Sequence, residues 1–458
     1  MSEDRDDAED TTLPDAPPQV KLRHRWQYGL FRAVEWVLGL FSLPMVARAG
    51  AALGLVAHAL SAKHRQLVRR NLRIATAGQA QVPGEEELDR LVKETFRRAG
   101  ANLLGSQRAA TMRPADLRAH LELEGFEHLL VPLRAGRGVV LVWGHMGNWE
   151  VLAQLIREVG GDIEGGPIYR PLENPLLDEL TVRRRTQEGA VLFSKHDGFN
   201  GPAALLRRGG VVTVMTDQRA GGHGELCPFF GRLSSCTPLP AILARRTGSA
   251  MVTLSISSHP QKAGRWVLRI RPVPEKAKTR EVLQHLEMAM RDSLPDVFWF
   301  HDRWRVDKTV PLGFFTKEAP AGPAANATQV TRMAATLPPG NPEAVEVLVA
   351  LLELRPDLRI ELLGDSPALP DDARIIHHSN KSLAACDATH AVPLDFALLL
   401  DGDEALAQEA KELGLRAIVG IQKGGKPWTR SFPAMPATRE AWRELAVKLV
   451  LTGKALRR

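Results

Sequence analysis

The chain is expected to be an α/β protein: an α/β domain carrying apolar N-terminal helices, followed by a smaller, Rossmann-like α/β domain. Three observations predict this. Short β-branched apolar runs alternate with helix-length amphipathic stretches from about residue 139 onward. A Pro- and Ala-rich segment, Pro311–Ala327, interrupts that alternation and reads as a linker. The length of 458 residues exceeds what one core usually serves.

Residues 1–20 are acidic and nearly free of large apolar side chains, which predicts a disordered tail. An acidic start without an apolar core is not expected to act as a signal peptide. Lys21–Arg25 is basic and precedes the apolar stretch Tyr28–Leu60, where Arg32, Glu35, Pro44 and Arg48 interrupt the hydrophobic run. This pattern suits one or two helices lying in a membrane interface, with Trp26, Trp36 and Phe41 at the headgroup boundary. A helical hairpin packed on a soluble core is the alternative. Lys63–Arg73 reads as a basic helix and Glu85–Gly105 as an amphipathic one. Strands are then predicted at Val139–Trp143, Ile168–Arg170, Ala190–Phe193, Val211–Met215 and Ala250–Ile256. The first domain is thus 21–310, with 21–60 its membrane-associated part, 311–327 the linker and 328–458 the second domain. In that second domain, strands are expected at Val330–Ala335, Arg359–Gly364, Arg374–His377, Thr389–Pro393 and Arg416–Ile421. Helices are expected at Glu343–Leu354, Asp403–Leu413 and Thr438–Leu451. It contains no Gly-x-Gly-x-x-Gly and no Walker lysine motif, so its role is not readable.

The net charge of +7 and a pI near 9.4 suggest an anionic partner. No zinc-finger spacing, RNP motif or basic repeat points to nucleic acid; an anionic membrane surface or an acidic carrier protein fits. Cys227, Cys236 and Cys386 are too few for a disulfide framework, and a reducing cytoplasm follows.

The chemistry concentrates in Val139–Glu150, VVLVWGHMGNWE. A buried strand would end at Gly144, with Asn148 capping a helix over Trp149–Val159. In a regular helix, His145 and Glu150 would point about 140° apart. With His145 in the turn and Glu150 in the first helical turn they can meet, and the carboxylate would hold the imidazole as a general base. The alternative is a pair of ordinary polar surface residues. His145, Arg170 and Asp217 all fall at or just after predicted strand ends, where open parallel sheets collect ligands. Grouping His145, Glu150, His223 and His301 as metal ligands matches no zinc signature, and no cofactor is expected.

His145–Glu150 (HMGNWE) is similar to the HFGNWE-type signature of the bacterial lipid A late acyltransferases, within the larger glycerolipid acyltransferase family. Four further blocks follow in the family's order: Tyr169-Arg170-Pro171 with Asn174-Pro175 and Asp178; Thr216-Asp217-Gln218; Pro228-Phe229-Phe230-Gly231 with Thr237; and Phe298–Trp304 (FWFHDRW). Arg219 stands where many members carry an acidic residue. The resemblance covers roughly residues 25–307. It implies an acyltransferase at the cytoplasmic face of a bacterial inner membrane, moving an acyl chain from an acyl carrier protein or coenzyme A thioester to a lipid hydroxyl. Its catalytic residues would be His145 and Glu150, and Arg170, Asn148, Asp217, His301 and Arg303 would contact substrate. Gly-x-Ser-x-Gly is absent, so direct attack by the acceptor is expected, without an acyl-enzyme. Asn148 is equally read as a cap, Asp217 as orienting a polar group or capping a loop, and His301 and Arg303 as neighbours of a core closed by Trp299 and Trp304. The Arg183–Arg185 run, with Lys195, reads as a carrier-protein or phosphate contact or as a solvated face. A non-catalytic lipid-binding protein, or a bifunctional enzyme with a nucleotide-sugar-binding C-terminal domain, are the competing readings.

Overall fold

The computed structural model describes residues 19–149, 151–152, 163–169, 171–187, 190–194, 198–220, 224–305, 310–313, 329–364, 369, 371–379 and 382–451. The expected tail, most of the linker and most of the helix over 149–159 fall outside them. The chain separates into two compact units. One comprises Met1–Leu60, Lys93–Gly221 and Thr237–Phe298; the other Ser61–Val92, Gly222–Cys236 and Trp299–Arg458.

The first unit is built on a seven-stranded sheet, in the order β1 (Leu121–Glu124), β9 (Trp266–Pro272), β8 (Ala250–Ser258), β2 (Val139–Trp143), β5 (Val211–Met215), β3 (Gly165–Tyr169) and β4 (Phe193–Ser194). Only the β8–β9 pair is antiparallel. β2 lies in the middle and all five of its residues are buried, as its unbroken apolar run requires of a strand covered on both faces. Val140 and Val142 face a core shared with Leu205 and Leu206 of α8 (Asn200–Arg207) and Leu243 of α9 (Leu239–Thr247). β1 and β9 were not anticipated: Leu-Glu-Leu-Glu and Trp-Val-Leu-Arg-Ile-Arg-Pro carry charges that sit at the exposed side of a sheet margin.

α1 (Leu22–Gly39) and α2 (Leu43–Leu60) precede this sheet. α2 is 18 residues long, with a mean hydropathy of 1.5, and is long and apolar enough to cross a membrane. One face of α2 meets α4 (Glu85–Ala109) at backbone contact. A Cβ added at Gly50 would lie 2.4 Å from the Gly100 carbonyl oxygen, and one at Gly54 would lie 2.1 Å from that of Phe96. Two glycines four residues apart give a smooth stripe that lets helices approach so closely. The rest of α1 and α2 presents Trp26, Leu30, Trp36, Leu40, Met45, Leu53, Val56 and Leu60 outward. Glu35 interrupts the apolar pattern of α1 for a reason internal to the protein. Its carboxylate is buried and bonds both terminal nitrogens of Arg184, at 2.6 and 3.0 Å, on α7 (Pro175–Gln187). Arg184 is therefore spent on this ion pair, while Arg183 is exposed.

The second unit carries a six-stranded, wholly parallel sheet: β12 (Ile375–His378), β11 (Leu358–Leu363), β10 (Thr331–Thr336), β13 (Leu394–Leu399), β14 (Ala417–Ile421) and β15 (Arg430–Phe432). Numbered within the unit this is 3-2-1-4-5-6, the doubly wound order of dinucleotide-binding folds. Alternate residues serve opposite faces. Met333 and Ala335 pack with α11 (Val345–Leu354) and α14 (Arg439–Val450). Ala334 packs on the other side with α12 (Leu383–Ala388) and α13 (Glu404–Glu412). The strand expected at Thr389–Pro393 lies instead at Leu394–Leu399. Pro393 has no N–H for a central ladder, and the buried run LDFALL begins just after it.

α3 (Ala62–Thr76) and the hairpin of β6 (Glu225–Phe229) with β7 (Arg232–Cys236) belong to the second unit, bound to its sheet by polar contacts. The hairpin turns on Phe230 and Gly231, both with positive φ (50° and 81°), the backbone of a two-residue primed turn. Gln329 donates to the carbonyls of Ile74 and Phe230 at 2.8 and 2.6 Å. Arg232 pairs with Asp395 at 2.8 Å, both fully enclosed, and Arg70 and Arg416 stand beside them. Burial alone would raise the Asp395 carboxyl, but Arg232, Arg416 and Arg70 pull it below the usual carboxylate range. Burial and the neighbouring Arg416 bring Arg70 down to about 10.

Candidate active site

β2 and β5 are adjacent and parallel, with Trp143 opposite Met215. Two residues beyond that rung on each strand stand His145 and Asp217, so equal offsets from one register bring them together. The Asp217 carboxylate takes the His145 backbone N–H on Oδ2 and the ring Nδ1 on Oδ1, each at 2.9 Å. Gly144 leaves room for this approach, since a Cβ there would stand 3.2 Å from the Asp217 side chain. The carboxylate is nearly enclosed and the imidazole partly open, at 7% and 16% side-chain exposure. A proton on Nδ1 donates to Asp217, which makes Nε2 the acceptor nitrogen of the ring. The Gln218 amide nitrogen stands 3.4 Å from Nε2.

The loop after β2 is clamped from behind. Phe298 N–H donates to the His145 carbonyl at 2.7 Å and Gly147 N–H to the Asp296 carbonyl at 2.9 Å, around an antiparallel bridge of Met146 with Val297. Gly147 has φ +58°, and a Cβ there would fall 2.3 Å from the Ile256 carbonyl oxygen, so no other residue fits. Asp296 is the anchor. Its buried carboxylate accepts from Arg98 Nη1 (2.6 Å), Asn102 Nδ2 (3.2 Å), Ser293 Oγ (2.7 Å) and the N–H and Oγ of Ser258 (2.9 and 2.6 Å). The Trp149 ring meets the His145 imidazole edge-on at 5.3 Å and the Phe298 ring at 5.9 Å. These supports were not legible beforehand: Arg98, Asn102, Ser258 and Asp296 lie in no recognisable pattern and converge only through tertiary contact.

The residues expected to form the site divide. His145 and Asp217 come together, with the Asp217 carboxylate on the ring Nδ1. Glu150 and Arg170 lie outside the described residues; β3 ends at Tyr169. Asn148 sits in the same loop, fully buried, its Oδ1 accepting from Ser106 Oγ at 2.6 Å and its Nδ2 without a hydrogen-bond partner among the described residues. The Asn174 side chain accepts from Leu176 N–H at the start of α7 and donates to the His24 carbonyl and Gln27 Oε1 of α1 (3.1, 3.1 and 3.0 Å). Asp178 accepts from Leu172 N–H.

His301 and Arg303 belong to the second unit. The His301 carbonyl accepts from Asn71 Nδ2 at 2.8 Å. Arg303 is enclosed in its unit: it bonds Ser234 Oγ, the Ser235 carbonyl (3.2 Å) and Cys236 Sγ (3.1 Å), and its guanidinium lies 4.8 Å from the Phe229 ring. The Pro228–Gly231 and Phe298–Trp304 blocks interlock here. The Phe229 ring lies tilted 6.1 Å from that of Trp304, and Phe230 meets Trp299 edge-on. All three cysteines are buried free thiols.

Residues 15–306 match the family model described as bacterial lipid A biosynthesis acyltransferase. The chain is similar to the lipid A biosynthesis lauroyltransferase of Escherichia coli, at 25% identity over 66% of this chain and 98% of the relative. It is also similar to the palmitoleoyltransferase of the same organism, at 24% over 61% and 90%, and to a lipid A biosynthesis acyltransferase of Haemophilus influenzae, at 23% over 65% and 97%.

Proposed function

We propose that this chain, which belongs to the bacterial lipid A biosynthesis acyltransferase family and is an acyltransferase, uses His145 as general base to acylate a hydroxyl of a lipid A precursor. The donor is a thioester, on acyl carrier protein or coenzyme A. The observation that carries the reading is the two-point grip of Asp217 on His145. It commits Nδ1 as a donor and leaves Nε2 as the acceptor a base must offer.

In this mechanism Nε2 removes the proton from the acceptor hydroxyl as its oxygen attacks the thioester carbonyl. Asp217 stabilises the imidazolium that forms, much as the carboxylate of a serine-protease triad does. The tetrahedral intermediate collapses with loss of the thiolate, which takes the proton back from Nε2. One C–O bond forms, one C–S bond breaks, and the base is restored. In the role its motif implies, Glu150 also orients His145 and stabilises the imidazolium, and Arg170 binds a phosphate of the acceptor or the developing oxyanion. Asn148 holds the loop through Ser106, with its free Nδ2 available to the same oxyanion. Arg303 acts as a strut within its unit.

The apolar faces of α1 and α2 seat the protein on the inner-membrane surface, where the acceptor resides. Trp26 and Trp36 are 74% and 70% exposed on α1, a placement that suits a headgroup boundary. The direct test incubates purified protein with acyl carrier protein and coenzyme A thioesters and lipid A precursors, and reads products by mass. An acylated precursor that disappears with His145→Ala supports the mechanism. Full turnover by that variant refutes it.

A further inference from the structure

Outside the active site, one group of side chains has the composition of a metal centre. Glu361 on β11, His378 at the end of β12 and Cys386 on α12 offer a carboxylate oxygen, an imidazole nitrogen and a thiol sulfur, all within 4.8 Å of one another. His378 Nε2 stands 2.7 Å from Glu361 Oε2 and 3.7 Å from Cys386 Sγ. The group is not a nucleophile relay. A relay needs one ring nitrogen on the acid and the other on the thiol, whereas here the same nitrogen faces both. The thiol is also inert in this setting, since burial and the nearby Glu361 push it up to about 11.

We propose that Glu361, His378 and Cys386 bind one divalent transition-metal ion, of which zinc best suits a mixed carboxylate, imidazole and thiolate set. Tetrahedral zinc, with a sulfur at about 2.3 Å and a nitrogen at about 2.1 Å, places those two atoms about 3.6 Å apart. The observed separation is 3.7 Å. The carboxylate is already oriented for the task. Arg332 Nε and Arg359 Nε both hold Oε1, at 2.7 and 2.9 Å, which leaves Oε2 turned to the common centre. Oε2 needs to withdraw by about 0.7 Å to exchange its hydrogen bond for a metal bond. His378 is 19% exposed at its side chain and marks the side from which an ion and a water ligand enter.

The balance is explicit. The ion enters, the Cys386 thiol releases one proton to solvent, and the imidazole proton moves from Nε2 to Nδ1. The ligands come from three successive elements, separated by 17 and 8 residues, which resembles no zinc signature. Bound metal would fasten the edge strand β12 and helix α12 to β11.

The test uses the full chain, stripped with a chelator and titrated with Zn²⁺ and with Co²⁺. One equivalent of metal by elemental analysis, a cobalt–thiolate charge-transfer band and release of one proton are expected. Cys386→Ser and His378→Asn should each lose the band and weaken binding by about 10-fold or more. No stoichiometric binding by the wild type, or equal binding by both variants, overturns the proposal. A readout on the wild type alone covers variants that fail to fold: alkylation of Cys386, mapped by mass in mild denaturant, should slow at least several-fold with zinc. An unchanged rate overturns the proposal as well.

Discussion

Two histidine–carboxylate pairs, one in each unit, show how the same two side chains are put to different ends. His145 gives Nδ1 to Asp217 and has Nε2 as its acceptor nitrogen, at the C-terminal edge of two parallel strands. His378 gives Nε2 to Glu361, within reach of Cys386, and its carboxylate is held from behind by two arginines. The first arrangement suits the base proposed above. The second brings an oxygen, a nitrogen and a sulfur within 4.8 Å of one another, as the proposed metal site needs.

The carboxylates differ as well. Asp217 stands at a strand end, whereas Asp395 is enclosed and answers several arginines. The two should therefore fail in different ways. The largest effect is expected for His145→Ala, which should lower turnover by about 10²–10⁴-fold, with Asp217→Asn within about 10-fold of it. Both variants should melt within a few degrees of the wild type. Steady-state acyl transfer beside thermal denaturation checks this; a large stability loss in Asp217→Asn would erase the contrast with Asp395.

Asp395→Ala should instead cost about 3–5 kcal/mol of stability, because Arg232 would be left buried beside Arg70 and Arg416 without its carboxylate. Chemical denaturation reads this directly. The same reasoning bears on truncation after residue 316. That chain loses Asp395 and Gln329 while keeping Arg232, Ile74 and Phe230, so it should be markedly less stable than the full chain. A truncated chain with an unaltered melt would show that the hairpin and α3 need no partner sheet.

Gly54→Val should cost about 1–3 kcal/mol, since its side chain would enter the Phe96 carbonyl on α4. The smallest effect is expected at the apolar surface. Replacing Trp36 and Leu40 with serine should leave the melt unchanged within about 0.5 kcal/mol and weaken flotation with anionic liposomes. Undiminished flotation would move the membrane contact elsewhere.

Much of the architecture was legible from local pattern. Val139–Trp143 and Val211–Met215 are strands because unbroken β-branched runs bounded by glycine or a polar turn have few other conformations. The alternation after residue 328 likewise announced a parallel sheet. The strands that escaped notice are Leu121–Glu124, Trp266–Pro272, the hairpin pair Glu225–Phe229 and Arg232–Cys236, and the short Arg430–Phe432, whose charged, Pro or Ser residues hide the apolar period. His145 was marked by its place after a strand, and Asp217 by the same reasoning on the neighbouring strand. Residue order along the chain carried that much, because each feature depends on side chains a few positions apart.

Their meeting depended on strand order. β2 and β5 are neighbours only after the chain has passed through β3 and β4, and their register aligns Trp143 with Met215 across 72 residues of sequence. Spacing pointed to Glu150, which lies outside the described residues, because local distance is all that spacing measures; Asp217 reaches His145 only through the sheet. In the same way the sequence shows Cys386, His378 and Glu361 as scattered residues, and Glu35 as a flaw in an apolar helix. Burial, register and the ion pair with Arg184 are non-local, and only the folded chain assigns them.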